Sequence, residues 1–450
     1  RDLHYPLRRQ RQMCIRDSYY SMFKNIIAAS IHIFFINLII AQDRVITTGV
    51  PFLLITPDAR AAGMGDIGVA TSADTYSQQW NPSKYVFCEN SSGFGISYTP
   101  YLSKLVDDIF LANLTYFNKN NTNAWGVSLK YFSLGDIQFN EIIGQTIVDQ
   151  GLQSPNELTL DFSYSLLLSK NFSSSVAARF IYSDLKLSTD VDPSSASTVG
   201  FDISAFYKSE KFQFFGKSSI FRTGINISNI GPRLKYDEGG QMNFIPTNLK
   251  FGIGLSRFID SDNKISFNTE FNKLLVPTPV PFFNENNSLL TYKQPNVNFL
   301  NGIFRSFNDA PDGINEELKE ITWAIGLEYS FNKAFFFRTG YFNESLEKGA
   351  RKFFTLGTGF DLEIFKIDIS YLLSNSKIRN PLENTLRFSL AFPIGPGNLS
   401  IICSKIFSIP SPVFPEQEIE FVVSMPTTSS ISFLVSVSYT HLTLPTKRIV

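Results

Sequence analysis

The sequence predicts an all-β protein: a transmembrane antiparallel β-barrel of about fourteen strands, with the N-terminal part folded inside it as a hatch. Three observations point there. Segments of eight to thirteen residues alternate apolar and polar side chains, as in Thr385 to Phe392, where Leu386, Phe388, Leu390 and Phe392 share one face and Arg387, Ser389 and Ala391 the other. Such a period of two describes a sheet with different surroundings on its two sides. The links between these segments are short and long in turn, as expected of a barrel with tight turns at one rim and loops at the other. Aromatics make up 14% of the chain, with 44 Phe and 18 Tyr, which suits a lipid-facing surface and its interfacial girdles.

Bulk properties exclude several classes. The 40 basic and 40 acidic residues balance to a net charge of +0, so nucleic acid is not an expected partner. Cys14, Cys88 and Cys403 stand singly, without the spacing of a disulfide framework or a zinc site, and neither a metal nor a cofactor is expected. His4, His32 and His441 all fall outside the expected folded body.

Residues 1–21 read as a non-native, adapter-derived extension. Met22-Phe-Lys-Asn followed by Ile26 to Ile40 and Ala41 has the charged start and apolar core of a signal peptide, spanning 22–41. The hatch is expected over 42–92, the barrel over 93–392. Residues 393–450 form a tail without a visible pairing partner, its last part of the same non-native look as the start.

Within the hatch, Pro57 to Asp74 is rich in Ala and Gly, which favours short helices and tight turns. Gly63, Gly65 and Gly68 match G-x-G-x-x-G, but a dinucleotide site needs a strand before and a long helix after, and the sequence shows neither. Close packing of backbone explains these glycines. Trp80-Asn81-Pro82 reads as a fixed turn with Trp80 packed inward. Cys88 reads as a small packing residue.

The barrel strands are expected near Gly93–Tyr101, Ile109–Phe117, Ala124–Ser133, Asn156–Leu168, Ser174–Leu185, Val199–Tyr207 and Ile220–Asn229. They continue near Thr247–Phe258, Lys264–Leu275, Ile321–Ser330, Ala334–Phe342, Lys352–Leu362, Phe365–Leu373 and Asn384–Phe392. Asp161, Glu328 and Asp361 fall on the inner face, with Lys130, Arg179 and Lys250 as expected partners. The Gly252 and Gly254 pair suits either a strand kink or ordinary curvature. The longest link, Val276–Glu320, opens on Pro277, Pro279 and Pro281, expected to be extended near polyproline II, and closes on an acidic segment expected to be a short helix.

Several stretches carry a family resemblance. Val50-Pro-Phe-Leu-Leu-Ile-Thr-Pro-Asp-Ala-Arg-Ala-Ala-Gly-Met-Gly-Asp-Ile-Gly-Val-Ala-Thr-Ser-Ala-Asp74, Trp80-Asn-Pro82, Ser97-Tyr-Thr-Pro-Tyr101, Leu129-Lys-Tyr-Phe-Ser-Leu-Gly-Asp-Ile137 and Pro155-Asn-Glu157 resemble the PorV family, also called LptO. That family is an outer-membrane component of the type IX secretion system. The likeness spans roughly Val45 to Phe392, and the Val50–Asp74 block is specific. The Ala-Arg-Ala-Ala-Gly-Met-Gly and Trp-Asn-Pro pieces are similar, more distantly, to the start of FadL-like barrels. The resemblance implies a FadL-like barrel in the outer membrane of a Gram-negative bacterium. It implies binding of the C-terminal signal domain of secreted cargo and its transfer from a SprA-type translocon to a PorU-type sortase complex. On that reading Arg60, Gly63, Gly65, Asp66, Trp80, Asn81 and Pro82 are hatch residues, and Leu134, Asp136, Ile137, Pro155, Pro279, Phe282 and Phe283 are candidate cargo contacts in the loops.

Two other functions compete. FadL-like uptake of hydrophobic molecules requires an apolar pocket beside the hatch. Lipopolysaccharide O-deacylation requires a catalytic group, and residues 42–392 contain no His to relay a proton in a Ser-His-Asp triad. A Ser-Lys or carboxylate mechanism stays open on the inward-facing Asp161, Glu328 and Asp361, whose preferred reading is lumen solvation or charge pairing. A non-enzymatic secretion component is therefore the leading expectation.

Overall fold

In this computed structural model, residues 45–143, 146–185, 195–236, 242–283, 289–362, 364–374, 381–394, 420–423 and 431–434 are described. The expected extension 1–21, the signal peptide 22–41, most of the 393–450 tail, all three histidines, Cys14 and Cys403 lie outside them. Gly397–Val450 forms a unit by itself, in which Glu420–Val423 pairs antiparallel with Ile431–Leu434.

Fourteen antiparallel strands build the barrel. They are β1 (Ser92–Pro100), β2 (Ile109–Lys119), β3 (Asn123–Leu134), β4 (Asn156–Ser169), β5 (Phe172–Asp184), β6 (Ala196–Lys208) and β7 (Lys217–Ile230). Then follow β8 (Asn248–Phe258), β9 (Asn263–Leu274), β10 (Thr322–Phe331), β11 (Phe335–Asn343), β12 (Lys352–Asp361), β13 (Lys366–Ser374) and β14 (Leu386–Ile394). Each strand pairs with its neighbours in sequence, and β14 returns to β1, with Phe388 opposite Tyr98 and Ile394 opposite Ser92. The cylinder is closed, which removes the exposed edges an open sheet would carry.

The period-two pattern does what the sequence demands. In β10, Ile325 and Leu327 are exposed on the outside while Ala324, Gly326 and Glu328 are buried on the inside. The same division repeats in β4, where Leu160, Phe162, Tyr164 and Leu166 face out and Thr159, Asp161, Ser163 and Ser165 face in. An outer surface this apolar belongs in lipid. Leu327→Arg places a charge midway along β10, and a loss of about 2–4 kcal/mol in unfolding free energy is expected from denaturant titration in vesicles.

Every expected strand is present with ends shifted by three residues or fewer. The connections differ more. Pro393 and Ile394 do have barrel partners, opposite Gly93 and Ser92, because the apolar, bilayer-length strand continues past Phe392. The Leu134–Pro155 link holds a hairpin of its own, Ile137–Ile143 against Thr146–Gln153. In the Val276–Glu320 link the extended start includes a short strand that holds Pro281: Val280–Phe283 pairs with Leu289–Lys293. Two short helices follow, Phe299–Arg305 and Ile314–Lys319, the second being the expected acidic one. Gly252 and Gly254 do not kink β8, whose ladder to β9 is regular; they leave room for Ala70 of the hatch.

The hatch occupies the lumen. It consists of α1 (Ala59–Ala62), capped by Asp58 accepting from the Ala61 N–H at 2.9 Å, and 3-10 turns at Pro51–Leu54, Thr75–Gln79 and Pro82–Phe87. Gly65 has φ +82, and a Cβ added there would lie 3.0 Å from the Tyr341 backbone nitrogen on β11, a conformation and a clearance that only glycine allows cheaply.

Candidate functional site

The hatch is bonded to the wall around the whole lumen. Ala59 N–H donates to Ser389 Oγ on β14 at 2.7 Å, and the Tyr76 hydroxyl meets the Ile96 and Leu390 carbonyls of β1 and β14 at 2.7 and 2.8 Å. On the opposite side Asn226 of β7 donates to the Trp80 carbonyl at 2.8 Å, and Asn81 donates to the Ala205 carbonyl of β6 at 3.0 Å. Ser165 of β4 and Ser173 of β5 donate to the Pro82 and Ser83 carbonyls at 2.9 and 2.7 Å.

Charge reinforces this in the middle of the lumen. Arg60 of α1 reaches Glu328 on β10 at 3.1 Å and also pairs with Asp74. Arg338, directly across from Glu328 on β11, donates to it at 2.8 Å and to Asp368 of β13 at 2.7 Å. All of these carboxylates and guanidiniums on the wall are buried. Glu270 of β9 accepts the Gly68 and Val69 N–H groups, both at 2.9 Å, and Lys84 donates to the Gly68 carbonyl at 2.7 Å. Arg387 of β14 binds Asp66 at 3.0 Å.

The expected pairing of wall charges is realised only in part. Asp161 pairs with Arg179, which also holds Asp202 on β6. Glu328 pairs with Arg60 and Arg338 rather than any expected partner, because the β10–β11 register sets Arg338 opposite it. Asp361 meets Lys366 at 3.9 Å near the turn end.

At the loop end lies a cavity of about 530 Å³, bounded by hatch residues including Leu54, Asp66 and Trp80, and by Asn248, Lys250 and Asn272 of the wall. Trp80 is 5% exposed and its indole N–H donates to Asp58 at 2.7 Å; Lys250 Nζ lies 4.5 Å from its ring centroid. Asn81 caps the turn beginning at Pro82, accepting from the Ser83 N–H at 3.1 Å.

Above the cavity the loops are anchored by salt bridges. Lys273 holds Glu317 and Glu320 at 2.8 and 2.7 Å, and Lys348 holds Glu316 and Glu320 at 2.7 and 3.0 Å. Burial would raise the Glu317 carboxyl, but Lys273 and the Ala310 and Asp309 N–H groups outweigh it and hold the group below the usual carboxylate range.

Of the expected loop contacts, Leu134, Pro155 and Pro279 are not presented outward. Leu134 packs against the Val50, Phe52 and Phe132 cluster at the top of the hatch; Pro155 is buried where its hairpin rejoins the barrel, and Pro279 just before the chain enters the next hairpin. Asp136 is exposed and accepts from Ser154 at 2.6 Å; Ile137 is exposed at the start of its hairpin; Phe282 is exposed beneath Lys293; Phe283 pairs through its backbone with Leu289. The more exposed apolar residues are ones the sequence reading passed over: Leu300 and Phe304 on the first loop helix, Ile314 and Leu318 on the second. Their i, i+4 spacing was the available signal.

Among the described residues there is no His and no group of three or more acidic, Cys or His side chains placed to hold a metal; Cys88 packs near the Asp74 carbonyl, and Lys119 donates to the carbonyls of Val86 and Cys88. The arrangement fills the lumen and anchors the hatch to the wall.

A family profile described as type IX secretion system protein PorV matches residues 39–281. The search of curated proteins finds no match. Among solved structures the chain is similar to the Pseudomonas putida toluene transporter TodX, at 10% identity and TM-score 0.47, covering 76% of this chain and 100% of that one. It is also similar to the Ralstonia pickettii toluene transporter TbuX, at 12% identity and TM-score 0.45 over 76% and 98% of the two chains. A Pseudomonas aeruginosa FadL homologue is similar at 10% identity and TM-score 0.39, over 75% and 98%.

Proposed function

The chain belongs to the PorV family of type IX secretion system proteins, and from that membership we propose that it is an outer-membrane component that binds the C-terminal signal domain of secreted cargo on its loop face. On this reading it carries cargo from a SprA-type translocon to a PorU-type sortase complex at the cell surface, and it does no chemistry itself. The observation that supports a loop-face role is the filled lumen. Hatch and wall are joined by hydrogen bonds and buried ion pairs on every side, so a protein cargo has no route through the barrel. The loops, by contrast, are folded, salt-bridged and tipped with apolar side chains: Phe304 is 76% exposed and Ile314 70%. Exposed apolar residues held on a rigid frame are what a protein-binding surface requires.

The test is a variant in which Leu300, Phe304, Ile314 and Leu318 are all replaced by Ser. Capture of a cargo signal domain is expected to fall by about tenfold or more, with the heat-modifiable folded barrel unchanged on gels. Undiminished capture would remove the loop assignment.

The second reading, uptake of hydrophobic molecules, is favoured by the cavity beside the hatch. Binding of labelled fatty acid by purified protein separates the two.

A further inference from the structure

The link from β6 to β7 differs from others at the turn end. Those after β2, β4 and β10 are short and free of aromatic residues: Asn120, Asn121 and Thr122; Lys170 and Asn171; Asn332, Lys333 and Ala334. After β6 the chain instead adds a short strand, Phe212–Phe214, which pairs back on Lys217, Ser218 and Ser219 at the start of β7. Phe214 opposes Lys217, so Phe215 and Gly216 alone make the turn, with φ +46 and +71. A two-residue turn with both φ positive normally takes Asn-Gly or Asp-Gly, because a bulky side chain is strained in the left-handed region. Here that place is held by a phenylalanine, 78% exposed at the tip. Its carbonyl accepts from Arg257 Nη2 of β8 at 3.0 Å, which ties the tip to the barrel. Backbone strain kept in place by surrounding bonds is a mark of a functional position.

The register shows which way the tip faces. Phe212 lies across from Ser219, Ser219 from Arg257, and Arg257 from Ile265, which is exposed on the lipid side of β9. Phe212, Phe214, Lys217 and Arg257 therefore share the outward face and continue the lipid-facing surface of Leu255 and Phe267. The rings meet edge to face, Phe214 with its centroid 4.5 Å from that of Phe215 and 6.3 Å from that of Phe212. Lys217 and Arg257 are diagonal neighbours in the ladder, about 7 Å apart, close enough for both side chains to reach one anion. Lys217 is exposed and donates to the Ile259 carbonyl at 2.8 Å, and both cations keep further N–H groups for another acceptor. Among the described residues neither has a carboxylate within 4.0 Å. Asp260, in the adjoining turn, is already engaged by the Asn263 side chain and by the Asp262 and Asn263 N–H groups at 2.8 to 2.9 Å.

We propose that this tip seats an anionic phospholipid, the three rings lying at the headgroup level of the bilayer and Lys217 and Arg257 holding the lipid phosphate. Aromatic rings alone suit any bilayer interface, whatever its charge. The two cations on the same face add the preference for a negative headgroup. A water-facing protein partner is the competing occupant, and the continuity of Phe212 and Phe214 with the surface that lipid covers argues against it.

The experiment uses the purified full chain in phosphatidylcholine vesicles with Trp125→Phe, Trp323→Phe and Phe215→Trp, and the same chain without Phe215→Trp supplies the Trp80 background. The probes are phosphatidylcholine brominated near the headgroup or near the chain end, and phosphatidylglycerol brominated near the headgroup. Tip fluorescence is expected to be quenched more by the shallow bromines than by the deep ones. At equal low doping, brominated phosphatidylglycerol is expected to quench as if enriched about fivefold over phosphatidylcholine, the factor one cation near a charged surface supplies. Lys217→Gln with Arg257→Gln keeps a donor for each carbonyl. That pair is expected to abolish the enrichment while leaving shallow quenching and the folded band intact, and Lys217→Arg to retain the enrichment. Tip fluorescence quenched by acrylamide and by no brominated lipid would reveal a water-facing surface and overturn the proposal. Stronger quenching by deep bromines, equal quenching by the two headgroups, or enrichment that survives the double change would overturn it as well.

Discussion

Glu328→Ala is expected to be the most damaging single substitution in the barrel wall. Glu328 is 2% exposed and accepts from Arg60 at 3.1 and 3.2 Å and from Arg338 at 2.8 Å. Removing it leaves two guanidiniums short of a counter-charge in a place water reaches poorly. Breaking a buried pair by deleting one partner costs about 3–5 kcal/mol, far more than the net worth of the intact pair, because an uncompensated charge stays behind. Asp74 and Asp368 still hold one end of Arg60 and Arg338 respectively, which sets the expected loss at the lower end of that range. Denaturant titration in vesicles measures it. The triple change Arg60→Met, Glu328→Met, Arg338→Met is expected to recover part of the loss, since no orphaned charge remains at that position. A loss under about 1 kcal/mol for Glu328→Ala would mean that the cluster is solvated and that the hatch is held by its other bonds.

The second large effect is expected from Gly340→Val. Gly340 lies on the inner face of β11, where a Cβ would collide with the backbone of Met64 and Gly65 in the hatch. Backbone cannot step aside as the tip of a flexible side chain can, so the hatch has to leave its seat. Two readouts follow. Planar-bilayer recordings are expected to change from a closed to a conducting barrel, and added protease is expected to cut between Pro57 and Asp74, a stretch that is largely buried in the native protein. Gly200→Ala is the control: its Cβ meets no atom nearer than 3.5 Å and it should behave as the parent. Silence of Gly340→Val in both assays would show that the hatch can shift without opening the lumen.

The strands were legible because one side of each must be apolar and the other need not be. No other arrangement of Ile325 and Leu327 against Ala324, Gly326 and Glu328 satisfies both lipid and lumen. The hairpin at Ile137–Gln153 was not legible for the converse reason. Its apolar side chains Ile137, Val148 and Leu152 are exposed, so burial does not sort them from the polar residues beside them. The Glu328–Arg338 pair was within reach of the sequence, since both lie equally far from the turn formed by Asn332, Lys333 and Ala334 and antiparallel pairing sets them opposite. Arg60 was not, because the path of the hatch through the lumen follows from no local pattern. The same holds for the Lys250 ammonium over the Trp80 ring, a contact between a barrel strand and a hatch turn far apart in the chain.

The seam between β1 and β14 joins residue 92 to residue 394. The cylinder cannot shut until nearly the whole body of the chain has been delivered, while the hatch, sitting just ahead of β1, is among the first parts to arrive. Its carbonyls and amides then stand ready for the inward-facing serines, asparagines and arginines of each successive hairpin. Such a chain is wrapped around its own beginning rather than stoppered afterwards. Variants that weaken the hatch should consequently slow barrel closure as well as loosen the finished molecule.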